Sequence, residues 1–144
     1  MAPASPDTAE ARGPRLRLPR TQRIRKRPEF VRIQGSPVRV TTRHLLLLLA
    51  VSVVTGAEAA LLPPRLGIVA SRKVGPSVVR NRAKRLVREA FRLHPEVFPA
   101  GLDVVVIVRP GTHLLGLAEL AAEIVGASAH LARRARELRG RVRG

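Results

Sequence analysis

The residues best placed to do chemistry in this chain are its cations. Residues 78–92, VVRNRAKRLVREAFR, carry six arginines and lysines against one glutamate, with apolar residues recurring between them at helical spacing. Five of the six are arginine, whose guanidinium fork matches phosphate oxygens bidentately. On a wheel at about 100° per residue, Val79, Ala83, Leu86, Ala90 and Leu93 make an apolar stripe. Arg80, Asn81, Lys84, Arg85, Arg88 and Arg92 take the opposite arc, and Arg82 lies near its far boundary. Solvated helix faces usually mix signs so that i,i+4 pairs stabilise them. Here only Glu89 can pair, with Arg85 or Arg92, so the arc is read as a phosphate-binding surface.

Groups for hydrolytic chemistry are sparse. General acid–base catalysis needs positioned imidazoles or carboxylates, yet His44, His94, His113 and His130 are scattered, and none pairs with a nearby acid in a recognisable motif. Asp103 opens an apolar run and reads as a turn residue. Cysteine is absent, which excludes disulfides, thiolate zinc sites and a thiol nucleophile. No catalytic residue is assigned, and no cluster suggests metal ligands. Phe30, Phe91 and Phe98 are the only aromatics. The last two read as core, whereas Phe30 follows a basic run and is open to either core packing or stacking on a ligand.

The whole chain repeats the bias of the helix. With 27 Lys+Arg against 10 Asp+Glu its net charge is +17, which self-repels unless an anionic partner such as nucleic acid or an acidic membrane surface cancels it. The apolar run at residues 45–62 is interrupted after Val54 by Gly56 and Glu58, so a buried strand fits better than a span of about 20 residues. Neither a heptad zipper nor cysteine zinc ligands accompany the basic helix, and recognition by shape and backbone favours structured RNA over DNA.

Several elements must position this helix. Residues 1–22 read as a disordered tail, 23–139 as one RNA-binding domain and 140–144 as a basic C-terminal tail. RIRKRPEFVRIQG predicts a short helix with Pro28 in its first turn, Phe30, Val31 and Ile33 as apolar contacts, and an end at Gly35. Residues 38–54 predict one or two strands, although five consecutive leucines favour helix by propensity. Residues 55–64 predict a loop or hairpin tip, 65–74 a strand, and Gly75-Pro76-Ser77 the start of the basic helix, which ends near Leu93 before Pro95. GLDVVVIVRPG predicts a central strand, and residues 114–138 a long amphipathic helix. The fold class is α+β, an α/β two-layer sandwich. About four strands and three helices follow the order α-β-β-β-α-β-α, with the helices on one side of the sheet.

At RNRAKRLVREAFR, preceded by GIVASRKVG and followed by DVVVIVRP, the chain resembles the protein component of bacterial ribonuclease P. RIRKRPEFVRIQG and RVTTRHLLLL are similar to that family's first helix and second strand, so the resemblance runs from about Arg23 to Leu138. It implies a mixed sheet with a left-handed βαβ crossover. It further implies that a catalytic RNA, with Mg²⁺, removes the 5′ leader from precursor tRNA by phosphodiester hydrolysis, and that the protein does not cut alone. Arg80, Asn81, Arg82, Lys84, Arg85 and Arg88 would face the catalytic RNA, with Lys73 just before them. Phe30 and Arg43 would line a cleft for the leader, broadening the substrates accepted. The resemblance implies one protein with one RNA subunit, while the absence of cysteine makes a reducing cytoplasm the default setting and the short apolar run predicts no membrane span. The chain departs from the family where further aromatics are usual: Gln34 and the leucines around Leu47 and Leu48 stand there. Readings from other classes are a ribosomal or ribosome-assembly RNA-binding protein and a membrane-surface protein.

Overall fold

The computed structural model describes residue 18, residues 22–52 and residues 63–143. Helix α1 (Arg27–Gln34) has Pro28 in its first turn, where a missing N–H breaks no helical bond, and closes at Gly35. It leads into β1 (Arg39–Thr41), β2 (Leu45–Val51) and β3 (Arg65–Val69). Then come α2 (Ser77–Leu93), β4 (Leu102–Val108), α3 (Leu117–Gly126) and α4 (Ser128–Arg143). The four strands make one mixed sheet in the order β1-β2-β4-β3. β2 is antiparallel to both β1 and β4, and β3 is parallel to β4 with α2 as the crossover between them. β4 is therefore central, as its continuous apolar run predicts.

The leucine run forms a single strand, and β1 supplies the second strand of that stretch. Leucine's helical preference is overridden because both faces of β2 are buried. Leu45, Leu47 and Leu49 enter the main core, while Leu48 and Ala50 join a second cluster with Ile24, Ile33 and Val105. The main core sets the sheet against Val87 and Phe91 of α2, Leu120 and Ile124 of α3, and Leu131 and Ala135 of α4. Phe91 and Phe98 pack with ring centroids 4.3 Å apart, in keeping with their reading as core.

The structure corrects two architectural expectations. The helices do not all lie on one side: α1 covers part of the opposite face, with Ile33 fully buried over the second cluster and Val31 exposed. The long C-terminal helix is two helices, because Gly126 offers no side chain to hold the turn and Ala127 leaves helical geometry at φ −93°, ψ 1°. Leu18, within the stretch expected as a tail, is buried in the main core, and its carbonyl accepts a 3.0 Å hydrogen bond from Arg23 Nε. The rest of that tail apart from Gln22, and most of the expected loop at 55–64, lie outside the described residues. At the other end, the helix continues through the stretch set apart as a tail as far as Arg143. No helix among the described residues is long and apolar enough to cross a membrane.

Candidate RNA interface

Helix α2 begins as its sequence predicts, with Pro76 at the N-cap. Gly75 before it has φ 147°, and a side chain there would come within 2.9 Å of Val79. The helix is rolled relative to the predicted stripe. Ala83, Val87, Ala90 and Phe91 are buried, Val79 and Leu86 only partly so, and Leu93 is 45% exposed. At about 100° per residue the buried arc sits roughly 60° from the one expected, drawn round by the Phe91–Phe98 contact. That roll half-buries Arg80, Lys84 and Arg88 and leaves Asn81 and Arg85 exposed.

Lys84 and Arg88 consequently turn toward a groove between α1, the extended segment before it and α2. One compartment, of about 410 Å³, is lined by Arg25, Arg27, Phe30, Gln34, Ile68 and Lys84 among others. A second, of about 270 Å³, shares Arg25, Phe30, Ile68 and Lys84 and adds Arg23 and Arg88. Phe30 packs against the second cluster and also lines the groove. Gly67 makes this possible, since a Cβ there would stand 2.7 Å from the Phe30 ring. Burial, together with the guanidiniums of Arg23 and Arg85, pushes the Arg88 guanidinium below its ordinary pKa.

The described carboxylates are used elsewhere. Glu89 pairs with Arg92 at 2.8 Å, Glu29 and Asp103 with Arg65, Glu123 with His44, Glu96 with His94 and Glu137 with Arg134, and Glu119 caps the Gly116 N–H. None of them lines the groove. Its wall is cationic and its floor apolar, an arrangement that can hold a flexible polyanion by its phosphates while offering a ring and aliphatic surface to its bases.

A model of the family described as Ribonuclease P matches residues 18–132. The chain belongs to this family. The ribonuclease P protein component of Desulfovibrio desulfuricans is 41% identical over 121 residues, covering 83% of this chain and 89% of the relative. That of Syntrophus aciditrophicus is 36% identical over 110 residues, covering 76% and 87%. The solved structure of the Staphylococcus aureus RNase P protein superposes with a TM-score of 0.60 at 27% identity, covering 79% of this chain and 94% of that one.

Within this ribonuclease P protein fold, the residues singled out from sequence divide into several places. Lys84, Arg88 and Phe30 meet in the groove. Asn81 and Arg85 face solvent on the adjoining side of α2. Arg80 Nε is buried without a hydrogen-bond partner among the described residues, and its guanidinium reaches Ser77 Oγ at 3.3 Å. Arg82 lies on the other flank, donating through Nε to the His113 carbonyl at 2.9 Å. Lys73 is exposed in the turn before α2. Arg43 is exposed on the β1–β2 turn and lines neither compartment. Gln34 is at the groove, whereas Leu47 and Leu48 are buried core residues and supply no groove surface.

Sequence reasoning missed Arg23, Arg25 and Arg27 as groove residues. The signal was their alternation in RIRKR: the backbone there is extended, with Ile24 N–H bonded to the Leu66 carbonyl at 2.8 Å, so Ile24 enters the core between two groove-lining arginines. Two further readings are corrected. Asp103 is no turn residue but a fully buried member of β4, held by Arg32 and by both nitrogens of a bidentate Arg65. His44 does pair with an acid: its Nδ1 lies 2.7 Å from Glu123 Oε1, and its backbone N–H donates to the other oxygen at 2.7 Å. Seventy-nine residues separate the two, so no local motif could show the pair. Burial opposes the Glu123 charge, but hydrogen bonds from Thr42 and from the ring and backbone of His44 outweigh it and hold the carboxyl below its usual range. The pair fastens the β1–β2 turn to α3, away from the groove.

Proposed function

We propose that this chain is the RNA-binding protein subunit of ribonuclease P, partner of a catalytic RNA that removes the 5′ leader from precursor tRNA. The observation that carries the reading is the groove whose cationic wall, Arg23, Arg25, Lys84 and Arg88, faces an apolar floor under Phe30. It supports a division of labour along α2. Asn81 and Arg85, on the outer side, dock the catalytic RNA together with Arg80, Arg82 and Lys73. Lys84, Arg88 and Phe30, on the inner side, hold the single-stranded leader.

Phosphodiester hydrolysis belongs to the RNA in this account. Mg²⁺ supplies nucleophile activation and charge neutralisation there. Among the described residues no three His, Cys, Asp or Glu side chains converge to hold a metal ion, and both oxygens of Asp103 are taken by guanidiniums. The protein's part is to neutralise phosphate and position substrate, which broadens the range of precursors accepted. One protein acts with one RNA subunit in the cytoplasm.

Reconstitution tests this reading. The protein alone should leave precursor tRNA intact, and adding it to its cognate RNA should restore cleavage at Mg²⁺ concentrations where the RNA alone is inactive. Cleavage by the protein without RNA, or no rescue at saturating protein, would overturn it.

A further inference from the structure

An ion network lies under α1, between it and the sheet. Asp103 is completely buried in β4, opposite Arg65 in the β3 register and Ala50 in the β2 register. Arg65 grips both its oxygens at 2.9 Å and extends the same Nη2 to Glu29 of α1 at 2.8 Å. Arg32, one turn further along α1, reaches Asp103 at 2.7 Å and the Val51 carbonyl at 3.2 Å. Two successive turns of an eight-residue helix are thus indexed by charge to β3, β4 and the end of β2.

Phe30 stands between those anchors, with its ring against the bare backbone of Gly67, two residues along β3 from Arg65. Apolar packing alone holds α1 loosely, because Ile33 is its one fully buried residue and Val31 is 58% exposed. An ion cluster built on a fully buried carboxylate is directional where such packing is not, and removing a guanidinium leaves the Asp103 charge partly uncompensated in the core. We infer that Arg65 and Asp103 are positioning residues: they fix α1 against the sheet and so set the width of the groove and the place of the Phe30 ring within it. This rests on the reading of the groove as the leader site. It adds that leader affinity is controlled by a network that touches no RNA.

The test uses holoenzyme reconstituted with Asp103→Asn protein and two precursor tRNAs, alike except that one has a long leader and the other a single-nucleotide leader. The variant should weaken long-leader binding about tenfold, near 1.4 kcal/mol, and change single-nucleotide-leader binding by less than about twofold. Affinity for the catalytic RNA should be unchanged. Amide exchange should accelerate across α1 and keep its protection in α2 and β4. Should Asp103→Asn fail to fold, Arg32→Gln, which leaves the Arg65–Asp103 pair in place, should show a smaller loss of the same leader-dependent kind. Equal weakening for both leaders, or unaltered exchange in α1, would overturn the inference. A wild-type holoenzyme that binds both leaders equally would overturn the leader reading itself, an outcome distinguishable because it needs no variant.

Discussion

At the scale of single residues, the chain shows how position decides what a charged or small side chain does. Gly67 carries nothing, and that is its use: the Phe30 ring occupies the space a Cβ would need, with Ile24 Cβ only 3.1 Å away on another side. Gly67→Ala should destabilise the protein by roughly 1–2 kcal/mol in urea unfolding and also weaken long-leader binding, since the ring must swing out of the groove. Glu123 makes a pH prediction. Its folded-state value is lowered from an ordinary value of about 4.5, so the folded state binds fewer protons than the unfolded one across that interval. Its stabilisation is complete above about 4.5 and is lost as pH falls through the lower folded value. The stability difference between wild type and Glu123→Gln, measured by urea unfolding, should be of the order of 1–3 kcal/mol near neutrality and should shrink in the acid range; a difference independent of pH would place the stabilisation elsewhere. Neither Glu123's role nor that of Asp103 was legible in sequence, because each is created by partners brought together from distant strands and helices.

At the scale of elements, much could be read and the errors share one cause. The start and end of α2 followed from Gly75, Pro76 and Pro95, local signals that act through the backbone itself. β4 followed from its uninterrupted valines. The roll of α2 and the face chosen by α1 did not, because they depend on what packs against them. Phe91 draws α2 round to meet Phe98 and the main core, and Arg32 and Glu29 draw α1 to the other face of the sheet through Asp103 and Arg65. Likewise the leucine run was ambiguous until neighbours on both sides gave it two buried faces. Phe91→Ala should cost about 3–5 kcal/mol, visible in thermal or urea unfolding. By comparison, Leu93→Ala at the exposed end of the same helix should stay within about 0.5 kcal/mol, although the sequence pattern alone ranks Leu93 with the core.

For the whole molecule, the described carboxylates are all engaged by partners within the chain, Asp103, Glu29 and Glu123 across elements and Glu89, Glu96, Glu119 and Glu137 locally, and none faces the groove. The family of the chain was legible from collinear motifs, and the resemblance implied a cleft at Phe30, whereas the cationic wall of the groove was not legible, because it combines Arg23 and Arg25 with Lys84 and Arg88 from about sixty residues further along. The central claim is that the α2 cations bind phosphate, and its most direct test is the salt dependence of binding to the cognate catalytic RNA by wild type, Arg85→Gln, and Arg82→Gln/Arg85→Gln. Each lost phosphate contact should reduce the slope of log K against log salt by about 0.7–0.9, so the double variant should lose up to about twice that while keeping its fold. Slopes identical to wild type in both variants would place these arginines off the RNA and contradict the account.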